Sequence, residues 1–247
     1  MRDFAITIAG AIGGAALAVA IVFTMAAGGH MPINDRQMQT YLMLHPDLAM
    51  AMMGRQQQLD DMKSQAQQQS AVDRAGQAAF FDPKLAFVTG PASAKKTMVE
   101  FFDYDCPYCR ASLPAIHKYY TEHKNDTRFA LIEFPIASLH GPGAVAASLA
   151  SLAARRQPEH FMDFHFALMG EEDSLTPEMI FADAAKAGLD VNRLKADMND
   201  PATQKTLDAS LAFAKRLKVN ATPTFIFNGA LHSGAVDDAS LADALKS

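Results

Sequence analysis

Cysteine is nearly absent from this sequence: 247 residues contain two, Cys106 and Cys109. A disulfide scaffold is thereby excluded, because a bridge between positions three apart closes almost no loop and adds almost nothing to stability. A structural zinc site needs four ligands, and there is no second cysteine pair to supply them. Histidine does not fill the gap. The closest pairs, His117 with His123 and His160 with His165, fall six and five apart, spacings that do not put both rings on one helix face. Reactivity is what remains to explain Cys106 and Cys109.

Charge of one sign is also scarce. The net charge is −5, and the basic residues lie in small scattered groups such as Lys95-Lys96, Arg155-Arg156 and Lys215-Arg216-Lys218. A phosphate backbone requires a basic stripe, so nucleic acid is excluded as a partner. Charge is missing altogether from residues 4–29. At about 1.5 Å rise per residue, an apolar helix of that length crosses a core of about 30 Å. Residues 1–29 are therefore expected to be a signal anchor or a signal peptide. Thr24, Ala26 and Gly28 suit a signal peptidase, but the apolar stretch exceeds the roughly 7–15 residues of a cleaved signal, which favours an uncleaved anchor over residues 4–27. Arg2 and the terminal amine stay inside and the rest of the chain is exported. Gly10 and Gly14 form a Gly-x-x-x-Gly, read here as ordinary small residues of such a segment. Export carries the dithiol to the side of the membrane where disulfides form and persist.

Residues 30–83 are expected to be helical. Asn34-Asp35 offers a cap for a helix to about Leu44, and the pattern restarts at Pro46 and runs to about Ala79. Tyr41, Leu44, Leu48, Met52, Leu59, Met62 and Ala66 recur at spacings of three and four with one gap at Arg55. The other positions are rich in glutamine. Such a stripe can be buried only against a copy of itself, as a homo-oligomer through residues 33–83, or against its own catalytic domain. Seven of the fourteen methionines lie between Met31 and Met62. They read first as adaptable filler at a helix interface, and second as soft ligands for Cu(I).

The remainder, residues 84–247, reads as the catalytic domain. Strands are expected at 85–88, 97–102 and 127–134, with a helix over 106–124 bent near Pro114. A strand, helix and strand in that order put the two strands parallel. The pattern is then helical over about 141–217. It ends with a strand at 224–227, an Asn228-Gly229 turn, a short partner strand at 230–232 and a closing helix over 237–246. Pro107 suits the first position of a helix, which puts Cys106 at the N-cap and Cys109 one turn on. Unsatisfied N–H groups and the positive end of the helix dipole then stabilise a thiolate on Cys106. Cys106 is the expected attacking sulfur and Cys109 the resolving one.

Two segments, Glu100-Phe101-Phe102-Asp103-Tyr104-Asp105-Cys106-Pro107-Tyr108-Cys109-Arg110 and Ala221-Thr222-Pro223-Thr224-Phe225-Ile226-Phe227-Asn228-Gly229, together resemble the DsbA-like branch of the thioredoxin superfamily. The resemblance runs from about Lys95 to the C-terminus and implies an α/β thioredoxin-like fold with an inserted helical domain, here preceded by a membrane segment and a helical segment. Residues 33–83, including Tyr41-Leu42-Met43-Leu44-His45-Pro46-Asp47, look like the self-associating N-terminal segment of members related to the copper-sensitivity suppressor ScsC. The resemblance implies that Thr222-Pro223 is cis, packs beside Cys106 and docks the client backbone together with Pro107 and Tyr108. Without the resemblance, a trans turn fits Pro223 equally.

It also puts Glu100 at the position of an acid beneath the dithiol. A buried carboxylate there has a raised pKa and accepts the proton of Cys109, whereas the alternative is an ordinary charge at a strand edge. Asp103 and Asp105 are expected in water-exposed loops, where they oppose the thiolate only weakly. Tyr108 stands where the DsbA pattern has histidine, so a less extreme oxidant is expected. Ala221 departs from the glycine common in relatives. His140 is read as a surface histidine, and the sequons at Asn125 and Asn220 as without function.

The function expected is an envelope thiol–disulfide oxidoreductase that forms or isomerises disulfides in exported proteins, with no cofactor beyond the Cys106–Cys109 pair. Its partners would be exported clients and a membrane redox protein that recharges the dithiol. Its place would be the periplasm, anchored in the inner membrane or soluble if the anchor is cleaved. The alternative is a copper-handling chaperone using the two cysteines and the Met-rich segment.

Overall fold

A computed structural model describes residues 35–246. The apolar stretch at residues 4–29, expected from the sequence to be an anchor or a signal, lies outside them. Among the described residues, no helix is long and apolar enough to cross a membrane. The chain divides into two compact units, Met1–Asp61 and Met62–Ser247. The first holds helix α1 (Asp35–Leu44) and the start of α2 (Pro46–Ala75), whose residues from Met62 on belong to the second. In the first, Tyr41, Met43, Leu44, Met50, Met52 and Met53 are all exposed.

The second unit is built on a five-stranded sheet of β1 (Phe87–Thr89), β2 (Lys96–Phe102), β3 (Thr127–Glu133), β4 (Thr224–Phe227) and β5 (Ala230–Ser233), in the order β1-β3-β2-β4-β5. Strands β2 and β3 are parallel, joined through helix α3 (Pro107–His123), and every other pairing is antiparallel. Parallel strands are covered on both faces and read as continuous apolar runs, which is how Thr97–Phe102 reads. The first strand falls slightly later than the sequence pattern suggests, at Phe87–Thr89 on the edge of β3. Asn228 and Gly229 both take positive φ, 51° and 92°, as a tight two-residue hairpin turn requires.

The inserted helices are α4 (Ala137–Ala154), α5 (Pro158–Met169), α6 (Pro177–Lys186), α7 (Val191–Met198) and α8 (Pro201–Arg216), and α9 (Asp238–Ala244) closes the chain. Three of these helices start on a proline at their first position, after Gln157, Thr176 and Asp200, as α3 does after Cys106. The insertion begins earlier than residue 141. Helix α4 starts at Ala137 and is kinked at Gly141, whose φ of 78° interrupts the turn before Pro142 restarts it.

Helix α2 also ends sooner than its periodicity suggests, at Ala75, because Gly76 takes φ 74° and turns the chain into a short 3-10 segment, Gln77–Phe81. That turn drives Phe80 and Phe81 into a core with Val72, Val99, Phe101, Ala130, Ile132, Phe213 and Ile226. On the opposite face of β2, Phe102 joins Cys106, Cys109, Leu131 and the inserted helices through Phe161, Phe164 and Leu168. Met98 packs against Ala115 and Ile116 of α3. Strand alternation therefore puts Glu100 on the α3 side, between Met98 and Phe102.

Candidate active site

Helix α3 opens on Cys106, which has extended backbone (φ −80°, ψ 119°) as its N-cap, with Pro107 at the first helical position. One turn on, the Arg110 N–H donates to the Cys106 carbonyl at 3.1 Å. Both thiols are free and buried. Facing them is the segment before β4, where the Thr222–Pro223 peptide bond is cis, as the sequence resemblance implies. The Cys106 thiol donates to the Thr222 carbonyl at 3.2 Å. Tyr108 is exposed beside the pair.

The two sulfurs are electrostatically unequal. Cys106 is lowered to about 5, first by a hydrogen bond from the Cys109 thiol and then by the Thr222 side chain and the N–H groups of Cys109 and Tyr108, against the burial that raises it. The Thr222 hydroxyl is buried without a hydrogen-bond partner among the described residues, so it is free to turn toward the thiolate. Burial pushes Cys109 well above the usual thiol range, helped by its bond to Cys106. Glu100, 3% exposed, is pushed up to about 8 by burial first and then by the negative charge of Cys106. It is an acid that holds its proton at neutral pH beneath the dithiol.

Asp103 and Asp105 are not the water-exposed loop acids the sequence suggests. Both are buried. Asp103 accepts from the Ile136 N–H at 2.7 Å and the Asp105 N–H at 3.0 Å, and pairs with His140 Nδ1 at 2.7 Å. His140 is accordingly tied inward rather than left on the surface. Asp105 Oδ1 accepts from Arg110 at 2.8 Å and from the Leu175 N–H at 3.0 Å. Arg110 also reaches the carbonyls of Tyr104, Glu172 and Asp173. The acids thus fasten the cysteine loop to the inserted helices, Asp103 through His140 and the Ile136 N–H and Asp105 through Arg110 and the Leu175 N–H.

A buried polar chain below the site escaped sequence reasoning. Tyr104 Oη donates to Ser151 at 2.9 Å, Ser151 donates to Glu133 at 2.7 Å, and Arg155 pairs with Glu133. His165 Nδ1 lies 2.9 Å from Tyr104 Oη, and burial lowers His165 to about 3, so its ring is neutral. With the Tyr104 proton given to Ser151, Nδ1–H is the donor. The one local signal was an acid, Glu133, at the end of an apolar strand. Among the described residues no group of three or more histidine, cysteine, aspartate or glutamate side chains gathers as metal ligands.

A family model described as thioredoxin (Thioredoxin_4) matches residues 84–247. The chain belongs to this thioredoxin family. Among solved structures with the fold, a thioredoxin-like oxidoreductase from Silicibacter pomeroyi DSS-3 is 36% identical, with 67% of this chain and 92% of that chain covered and a TM-score of 0.59. The catalytic domain of Proteus mirabilis ScsC is 25% identical over 72% of this chain and 96% of that one, with a TM-score of 0.61. A periplasmic thioredoxin-like protein from Salmonella enterica serovar Typhimurium is 27% identical over 68% and 92%, with a TM-score of 0.56. Curated relatives include the Na(+)/H(+) antiporter NhaA 3 of Salinispora tropica, 29% identical over 166 residues. That match spans 67% of this chain but only 25% of the antiporter, a quarter of its length.

Proposed function

We propose that this chain is an extracytoplasmic thiol–disulfide oxidoreductase acting on exported proteins through Cys106 and Cys109. The observation that carries the reading is the unequal pair at the start of α3, with a low-pKa sulfur 3.2 Å from the Thr222 carbonyl and a protonated partner over a buried acid. In the reducing direction the Cys106 thiolate attacks a client disulfide and one client sulfur leaves as thiolate. In the mixed disulfide the Cys106 charge that helped hold the proton on Glu100 is gone, and the ionised fraction of Glu100 takes the Cys109 proton; Cys109 then attacks Cys106 Sγ to release the second client sulfur and leave Cys106–Cys109 oxidised. Oxidation of a client dithiol runs the same bonds backwards. Pro107, Tyr108, Thr222 and Pro223 form the surface against which the client chain lies.

No cofactor enters this cycle, which needs only a membrane redox partner to reset the pair. The periplasmic relative and the charge-free residues 4–27 support an envelope location, anchored or cleaved. The exposed apolar side chains of residues 35–61 support self-association through 33–83, which would gather several dithiols round one client and favour isomerisation. The copper-handling alternative rests on residue type alone, and antiport stays with proteins of which this chain matches a quarter. Insulin reduction and refolding of scrambled ribonuclease are the tests. Cys106→Ser is expected to lose both activities, and activity that survives it refutes the mechanism.

A further inference from the structure

The glutamine run of α2 lies against the polypeptide that leads into Thr222. Gln68, 5% exposed, donates its amide to the Lys218 carbonyl at 2.8 Å and to Asn220 Oδ1 at 3.4 Å. Gln67 accepts from Lys218 Nζ at 2.6 Å. On its other side, Gln69 donates to the Gly229 carbonyl at 2.9 Å and accepts from the Leu231 N–H at 2.7 Å. Three successive side chains of one helix thus hold the chain just before Thr222-Pro223 and the hairpin just after it.

Lys218 is where the hold is most specific. It follows the last turn of α8 with φ 60°, a conformation that usually calls for glycine. Such a residue persists where its surroundings over-determine it, and here both its carbonyl and its ammonium are engaged by α2. From Lys218 the chain reaches Thr222 in four residues. At the far end, the Gly234 N–H donates to the Pro223 carbonyl at 2.9 Å, which ties the outgoing strand of the Gln69-held hairpin back to the loop.

We propose that Gln68 is a positioning residue of the dithiol site: by holding Lys218 and Asn220 it fixes the loop that presents Thr222 to Cys106. It touches neither sulfur nor client and acts through Thr222 alone. Released from Gln68, the segment 218–221 loses its buried partner, and Thr222, whose buried hydroxyl has no bond of its own to hold it, no longer keeps its hydroxyl close to Cys106. The proposal rests on Cys106 being the reactive thiol of the proposed function.

The test is the titration midpoint of the Cys106 thiolate in the reduced full chain, read by ultraviolet absorbance and by alkylation rate against pH. Gln68→Met keeps the bulk and cannot donate. It is expected to raise the midpoint by about half a pH unit or more, roughly a threefold loss of thiolate below the midpoint. Gln68→Glu, whose carboxylate faces two oxygens, moves it further. If that variant fails to fold, Gln68→Met carries the test. Gln77→Met, which loses a bond to Thr97 Oγ1 away from the loop, serves as the control and leaves the midpoint in place. An unchanged midpoint in folded Gln68→Met overturns the proposal, and so does an equal shift in Gln77→Met. The titration needs no client, so a wild-type protein inactive on insulin would refute the proposed function and leave this result standing.

Discussion

The burial that pushes Glu100 up to about 8 acts on stability as well as on chemistry. Between the ordinary carboxyl range and the raised value, the unfolded chain gives up this proton while the folded protein keeps it. The contribution is complete at low pH and is lost as pH rises through the folded value. Cys106 runs the other way in the reduced protein: its lowered pKa stabilises the fold as pH rises from about 5 towards the free-thiol range. The disulfide form removes that thiol, so the Glu100 effect is best read there. Glu100→Gln is expected to flatten the fall of thermal stability with rising pH and to slow release of the mixed disulfide by about tenfold or more. Melting curves across pH check the first and trapping on non-reducing gels the second.

Arg110 is the other residue with a large predicted effect, because Arg110→Ala leaves Asp105 buried without its cation. A loss of about 3 kcal/mol is expected from urea unfolding, with little rescue by lysine, which cannot span the three carbonyls and the carboxylate that Arg110 reaches. The pairing of Asp103 and Asp105 was illegible in the sequence for a simple reason. Their partners His140 and Leu175 lie 37 and 70 residues along the chain, and no local pattern announces a contact of that separation. The N-cap role of Cys106 was legible, because the residues that set it are adjacent.

At the scale of elements, periodicity located the strands and helices and misplaced their ends. Gly76 and Gly141 are the cause in two cases, each taking a positive φ that an apolar repeat cannot register. The early end of α2 has an energetic consequence, since Val72, Phe80 and Phe81 belong to the core of the catalytic unit. A chain shortened to begin at Lys95 loses all three, and each large apolar side chain removed from a core costs about 3 kcal/mol or more. It is expected to be unstable or insoluble, whereas a chain beginning at Met62 folds. Thermal unfolding of the two distinguishes the outcomes. The sequence shows only that the positions between the apolar residues of α2 are rich in glutamine. Three of those glutamines cap exposed polar groups of the backbone or of Lys218, a role that composition does not reveal.

Across the whole molecule, the order β1-β3-β2-β4-β5 brings residues 106 and 222 together from opposite ends of the domain. That juxtaposition was available from the sequence only through the resemblance carried by both motifs. The division between Asp61 and Met62 leaves the exposed apolar side chains of residues 35–61 outside the catalytic unit. Sedimentation of a chain from Ile33, compared with one from Met62, is expected to give a multiple of the monomer mass for the first and the monomer for the second. Equal association states would remove self-association from the functional reading.

The bonds from Gln69 to Gly229 and Leu231 have another effect, on β5, the last strand of the sheet. An open strand edge templates the addition of foreign strands, a hazard for any protein that meets unfolded chains, as the proposed function requires. A single amide side chain fills one donor and one acceptor position of the edge with the same groups an incoming strand would offer. An extended client finds that part of the border already taken. In the proposed function such a client would be held by its sulfur and not by strand pairing at this position.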